Sequence, residues 1–267
     1  MLPVRRSDLV LDVGSGGNPY PQADVLLERY VNPFHRAGAK LVVDRPTVLG
    51  DACRMPFKDG AFDFVVASHV LEHIARPDQF LGELTRVGRA GYIETPNILF
   101  ERLVPYDVHL LEIMLIDGVL VIHKKPEARP DRVISSMKIV PRDDRWTRLF
   151  YERPQLFHVR YFWRGKINFV VVNADVDMAW FGGEDAAEPQ VEAQGEDSLI
   201  RGFVKRGIRL YRRTGGRAPV DLAKLLVCPD CRGPLARSEQ VYQCQACAAS
   251  YANAGLPDFT KKIGVRA

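Results

Sequence analysis

The chain has 267 residues, of which 46% are hydrophobic and 26% charged, enough to bury a full core in one or two domains. Its longest apolar stretch, Leu110 to Ile122, is interrupted by Glu112, Asp117 and Gly118, well short of the ~20 apolar residues a membrane span needs, so no transmembrane helix is expected. The opening MLPVRRSDLVLDV is basic but lacks a small-residue cleavage site behind an apolar core, which argues against a secretory signal and for a cytoplasmic location. A net charge of +4 does not by itself imply a nucleic-acid partner.

From Leu9 to Asn97, short apolar runs alternate with loop signals, the pattern of parallel strands covered by helices. Strands are expected at Leu9–Val13, Val25–Leu27, Val48–Leu49 with its flanks, Phe62–Ala67 and Gly91–Ile93. Between the last two, Pro77 suits a first helical turn, Phe80, Leu81, Leu84 and Val87 recur at helical spacing, and Gly88 ends the run. Further on, Met114–His123 and Val159–Val172 each read as two strands joined at a two-residue turn, Asp117-Gly118 and Arg164-Gly165. Trp146, Phe150, Tyr151, Phe157, Tyr161, Phe162 and Trp163 make this middle region aromatic, a composition that usually means core and here also suits a pocket for a ring or sugar.

Residues 183–197 carry six acidic side chains and no basic one, and residues 199–217 carry seven basic ones and no acid. The acidic part reads as a linker. In the basic part Ile200, Phe203, Val204, Ile208 and Tyr211 fall at helical spacing among arginines and lysines. Such a helix can pack on its own domain, lie on an anionic membrane surface or track a nucleic-acid backbone.

The first strand ends in Gly14-Ser-Gly16-Gly17-Asn18-Pro19. A glycine-rich turn there lets a nucleotide-type ligand approach the backbone. The dinucleotide fingerprint requires glycine at position 19, where proline stands, and Pro19 and Pro21 push the residues before them away from a helix start. A ligand without phosphate fits better, and S-adenosylmethionine has none. Glu28 closes the second strand, where a carboxylate can hold both ribose hydroxyls; Asp44 is the rival for that role. Asp51 and Ala52 follow the third strand, placed to read an adenine edge with a carboxylate and a backbone amide.

Two longer runs complete the set: Met55-Pro-Phe-Lys-Asp-Gly-Ala-Phe-Asp-Phe-Val-Val-Ala-Ser-His-Val-Leu-Glu-His73 and Arg86-Val-Gly-Arg-Ala-Gly-Tyr-Ile-Glu-Thr-Pro-Asn97. With the glycine turn, they resemble the class I S-adenosylmethionine-dependent methyltransferases of the small-molecule type. The resemblance implies cofactor contacts by Asp12, Gly14, Gly16, Glu28, Asp51, Ala52 and His69. The chain departs from that pattern in having Asn18 at the usual third glycine and a short, proline-broken segment before the second strand, which puts the first helix in question.

His69 and His73 stand four apart, so on a helix they would share a face; a metal pair there lacks a carboxylate-rich neighbourhood. His73 is the candidate catalytic residue. If the acceptor is an alcohol or phenol, one of His69, His73, Glu94 or His109 would take its proton.

Near the C-terminus, Cys228-Pro-Asp-Cys231 and Cys244-Gln-Ala-Cys247 are separated by twelve residues. Each pair forms a tight knuckle, and four thiolates complete a closed tetrahedron, so the expected metal is a structural zinc. Its apparent binding energy, on the order of 10–16 kcal/mol, would stabilise a segment with little core of its own. The stretch from Leu225 to Phe259 is similar to the zinc-ribbon-like domain of the tRNA-methyltransferase activator family, which implies a partner or regulator of a methyltransferase.

The expected architecture is therefore α/β, a Rossmann-like methyltransferase sheet with a small C-terminal zinc ribbon. It divides into a methyltransferase domain at 1–182, a linker and basic helix at 183–219, and the ribbon at 220–267. The expected activity is methyl transfer from S-adenosylmethionine to a small-molecule, lipid-linked or glycan acceptor. The rivals are an RNA methyltransferase that binds substrate through ribbon and basic helix, and a non-catalytic binding protein. An RNA or protein partner at the ribbon and peripheral membrane contact through 199–217 remain open at this point.

Overall fold

The structure, a computed structural model, describes residues 2–32, 40–106, 108–126, 144–178 and 220–264. The acidic linker, the basic segment and the side chains of Trp146 and Tyr151 lie outside the described residues.

Five short runs rich in Val, Leu, Ile and Phe build the centre of the molecule: β1 (Val10–Val13), β2 (Val25–Glu28), β3 (Thr47–Leu49), β4 (Phe64–Ser68) and β5 (Ala90–Pro96). Nearly every position in them is buried, as for parallel strands covered on both faces. They pair in parallel in the order β3-β2-β1-β4-β5, the doubly wound arrangement whose direction of growth reverses beside β1. On one face, Leu11, Val13, Leu27, Val65 and Ile93 pack under α1 (Pro77–Val87). That helix begins on Pro77, whose missing N–H costs nothing at a first turn, and buries Phe80, Leu81, Leu84 and Val87. On the other face, Val10, Leu26, Phe64, Val66 and Tyr92 meet Leu2, Val4 and Tyr20.

Arg86, near the end of α1, fastens the loop that precedes β4. Its guanidinium donates to the carbonyls of Met55 and Phe57 and to Asp59, and pairs with the largely buried Glu83. Glu83 in turn accepts the Met55 N–H. This clamp ties the Met55-Pro-Phe run to the end of α1.

After β5 come α2 (Ile98–Leu103), capped by the Asn97 side chain on the Phe100 N–H, and a hairpin of β6 (Leu111–Ile116) and β7 (Val119–Lys124). Asp117 and Gly118 both have positive φ, as a primed turn requires. The second expected hairpin does not form. After α3 (Asp144–Glu152), β8 (His158–Arg164) runs antiparallel to β5 over seven residue pairs, whereas β9 (Phe169–Val171) pairs in parallel with β7 in the separate three-stranded sheet. Gly165 does take the left-handed conformation, but beyond it the chain leaves for another sheet. Burial accounts for this: Val159, Tyr161 and Trp163 of β8 join the core cluster that β5 and α1 share. Gly91 makes room, because a Cβ there would lie 2.7 Å from the Trp163 indole and 2.4 Å from the Val65 carbonyl oxygen.

The ribbon consists of α4 (Leu222–Leu225) and the strands β10 (Leu235–Arg237), β11 (Val241–Cys244), β12 (Ser250–Ala254) and β13 (Leu256–Lys262), paired antiparallel in sequence order. It continues the central sheet. β13 lies parallel to β3, with Asp258 opposite Leu49, so the complete order is β10-β11-β12-β13-β3-β2-β1-β4-β5-β8. Further ties are a bridge between Phe57 and Leu226, ion pairs of Arg54 with Asp230 at 2.8 Å and Arg232 with Glu83 at 3.6 Å, and the Val227 N–H on the Pro56 carbonyl. Among the described residues, no helix is long and apolar enough to cross a membrane.

Candidate active site

Ligands of doubly wound sheets bind outside the carboxyl ends of the strands, where the order reverses. Here that point lies between β1 and β4, and the sequence candidates gather around it. Gly14 and Gly16 follow β1 with φ of +68° and +58°. A Cβ at Gly14 would meet the Val70 Cγ2 at 2.5 Å, so this glycine also lets the turn after β1 pack against the turn after β4. The Glu28 carboxylate, buried at the end of β2, accepts the Ser15 hydroxyl at 2.8 Å and the Gly16 N–H, which holds the glycine turn in place. The rival, Asp44, stands before β3 and pairs with Arg45 at 2.6 Å.

Asp12 lies deeper. Its carboxylate accepts the Tyr20 N–H at 2.7 Å and is only 4% exposed. Burial drives its pKa up to about 7, the Tyr20 N–H opposing and the nearby Glu28 assisting the shift. Asp12 thus anchors the loop that replaces a first helix: within the described residues, the connection from Val13 to Val25 contains none.

Asp51, after β3, accepts the Cys53 N–H at 2.8 Å and faces the guanidinium groups of Arg29 at 3.5 Å and Arg76 at 3.8 Å. Among the described residues, the neighbouring Ala52 N–H donates to no acceptor. A carboxylate and an open amide side by side match the exocyclic amine and ring nitrogen of an adenine, and a cleft of about 390 Å³ opens beside them. Arg29, Arg54, Arg76 and Gln79 line it together with Thr260 of β13. The ribbon therefore supplies a wall of the cleft, which the sequence did not reveal. Cys53, also on the cleft, has its thiol pKa pushed up to about 12, first by burial and then by Asp51, so it is an unreactive thiol.

At the ends of β4 and β5, histidines and carboxylates interlock. His69 takes a positive φ of 56°, unusual for a side chain of its size, and its N–H donates to the Glu94 carbonyl at 2.8 Å. Its Nδ1 lies 3.2 Å from the carboxylate of Glu72, a wholly buried residue whose other oxygen accepts the Thr95 hydroxyl at 2.9 Å. Partial burial disfavours the His69 imidazolium, but Glu72 outweighs it and holds the pKa above that of an ordinary histidine. His69 and His73 do not share a face, because this positive-φ residue directly follows β4 and the turn after it is a short 3-10 segment, Leu71–His73. His69 faces His158, with ring centres 5.3 Å apart, whereas His73 faces His109 at 4.8 Å. The His73 Nδ1 lies 3.0 Å from the Val108 carbonyl, and the His109 Nδ1 lies 2.5 Å from Glu101.

Contrary to the expectation from sequence, carboxylates do accompany these histidines. Glu94 and Glu101 come from later elements, and His158, which sequence reasoning missed, enters from β8. Its signal lay in the antiparallel register, which sets His158 opposite Pro96 and Arg160 opposite Glu94. Phe100 and Phe150 pack on the His158 ring, Phe157, Tyr161 and Trp163 are core, and Phe162 is exposed.

The four ribbon cysteines converge as their spacing predicts. All four Sγ atoms lie within 4.8 Å of one another, with Cys228 to Cys247 at 3.7 Å and Cys231 to Cys244 at 3.4 Å. A zinc–sulfur bond of about 2.3 Å implies tetrahedral edges of about 3.8 Å, so the donor set fits zinc. Gly233 is required beside it, since a Cβ would approach the Cys231 and Cys244 sulfurs to 3.2 and 3.1 Å.

The sheet order and the glycine turn at its reversal define a Rossmann-like α/β fold. Residues 11–93, which run from within β1 to within β5, match the family model described as "Methyltransferase domain". Over 88 residues the chain is 34% identical to demethylmenaquinone methyltransferase of Renibacterium salmoninarum, covering 31% of this chain and 37% of that protein. Over 43 residues it is 44% identical to ajmaline N-methyltransferase of Rauvolfia serpentina, covering 16% and 15%. The chain thus spans well under half the length of these curated relatives. Solved structures similar to it include an S-adenosylmethionine-dependent methyltransferase from Aquifex aeolicus (22% identity, TM-score 0.26, 34% and 57% of the two chains). Another is a chain from the complex of the Haloferax volcanii Trm112 methyltransferase activator with a methyltransferase (21% identity, TM-score 0.29, 35% and 47%).

Proposed function

We propose that the protein transfers the methyl group of S-adenosylmethionine to a small-molecule, lipid-linked or glycan acceptor. The observation that carries this reading is the placement of Gly14, Gly16, Glu28, Asp51 and Ala52 at the carboxyl ends of the adjacent strands β1, β2 and β3, beside the sheet's reversal point and within the segment matching a methyltransferase domain. The glycine turn would receive the methionine end, Glu28 the ribose hydroxyls, and Asp51 with Ala52 the adenine. Asp12 would support the turn from beneath, and His69 would close the site from β4.

The cofactor supplies an activated methyl group, so the protein's task is alignment, worth up to roughly 7–11 kcal/mol of barrier reduction. For a hydroxyl acceptor, His73 is the candidate base. With Nδ1 donating to the Val108 carbonyl, its Nε2 would carry the lone pair. The four cysteines would hold a structural zinc. The ribbon's attachment to β3, Arg54 and Glu83 supports a role toward its own domain, with an RNA or protein partner as the second possibility.

Titration calorimetry of the zinc-loaded full chain with S-adenosylmethionine and S-adenosylhomocysteine tests the reading. Micromolar binding, weakened at least tenfold in Glu28→Ala, is expected; absence of binding by folded protein overturns it. RNA binding that falls steeply with added salt would instead favour an RNA substrate.

A further inference from the structure

We propose that His69, Glu94 and His158 form a second metal site, which takes a divalent transition-metal ion at the carboxyl ends of β4 and β5, separate from the four cysteines. Each of the three offers a ligand atom, and the three atoms lie within 4.8 Å of one another. Two imidazoles and one carboxylate are a donor set for Zn²⁺, Co²⁺ or Fe²⁺, and they leave coordination positions open.

Metal-binding histidines characteristically give their second ring nitrogen to a carboxylate or a backbone carbonyl, which fixes the tautomer and aims the remaining lone pair. Both histidines are held in this way. The His69 Nδ1 is on Glu72 at 3.2 Å, and the His158 Nδ1 is on the Pro154 carbonyl at 3.1 Å. Glu72 is itself buried and fixed by Thr95, so a carboxylate has been taken out of water at the point where it orients an imidazole. Glu94 is divided in the same fashion: Tyr92 and Arg160 both approach its Oε2, the latter at 3.5 Å. Among the described residues, no hydrogen bond reaches the Nε2 of His69, the Nε2 of His158 or the Oε1 of Glu94.

Ligands about 2.1 Å from a tetrahedral ion stand about 3.4 Å apart, so the three must draw together slightly on binding. The half-exposed His69 side chain has room to do so. The strained backbone of His69, tied to the Glu94 carbonyl, keeps two of the ligands in register across β4 and β5. Phe100 and Phe150 hold the His158 ring from the other side. This assignment takes the His69 imidazole out of the cofactor set and leaves the other proposed contacts unchanged.

The test uses full-length protein already carrying one zinc per chain, titrated with Zn²⁺ and separately with Co²⁺ by calorimetry and by metal analysis after desalting. A second equivalent is expected, lost in both His158→Ala and Glu94→Gln and weakened 10- to 100-fold in Glu72→Gln, with the first equivalent and the circular dichroism spectrum retained in every variant. No second equivalent in the wild type, or a second equivalent that persists in His158→Ala and Glu94→Gln, overturns the proposal. Because the readout is metal stoichiometry, it is independent of whether S-adenosylmethionine binds.

Discussion

Asp12→Asn should make the protein more stable at pH 8 and have almost no effect near pH 4. The native Asp12 carboxyl has its pKa raised by burial to about 7, against 3.8 as the ordinary value. Between those values the native state keeps a proton that the unfolded chain has released, so unfolding releases that proton and stability falls as pH rises. Each pH unit in this window costs about 1.4 kcal/mol. From pH 5 to pH 7 the wild type should therefore lose about 2–3 kcal/mol relative to the asparagine variant, with no further divergence above pH 8. Asparagine retains an oxygen for the Tyr20 N–H, so the glycine loop keeps its anchor. Urea denaturation of both proteins at half-unit steps from pH 5 to 8.5, with zinc present throughout, measures the difference. A difference that stays constant with pH would show that the carboxyl is ionised throughout the range and that the account of its burial is wrong.

Gly91→Ala forces a methyl group against the Val65 carbonyl and the Trp163 ring, an overpacking worth about 1–3 kcal/mol; a thermal melt within 0.5 kcal/mol of the wild type would refute the close packing. Cys247→Ser, or stripping the metal with a chelator, should remove amide-exchange protection from β10 to β13 while β1 and β4 stay protected. It should also weaken cofactor binding through loss of Thr260 from the cleft wall. Unchanged protection of β13 without metal would mean that the ribbon folds on its core alone.

The parallel centre was legible because each strand is a short apolar run, the first three of them ending at a glycine or a carboxylate, and α1 because its apolar residues repeat at helical spacing between Pro77 and Gly88. The cysteine spacing likewise translated directly into converging sulfurs. What was not legible depended on partners distant in sequence. The Arg164-Gly165 turn looked like a hairpin because local pattern cannot show that Trp163 belongs against Gly91. His158 carried no motif of its own and gains meaning only from the β5–β8 register. The pairing of β13 with β3 was hidden for the same reason, since an edge strand does not signal which other edge it will meet. Glu28 was correctly placed at its strand end, but its grip on Ser15 and Gly16 is a tertiary detail.

The seam between β13 and β3 has a consequence for how the protein is made. Asp258 and Leu49 are about 200 residues apart, so this contact waits until the ribbon has left the ribosome and is costly in loop closure. Until then β3 presents an unpaired edge, the kind of surface on which nascent chains join one another. Synthesis that stalls before the ribbon would leave a sticky intermediate with an unfinished cleft, and the supply of metal to the cysteines would govern how quickly that edge is sealed.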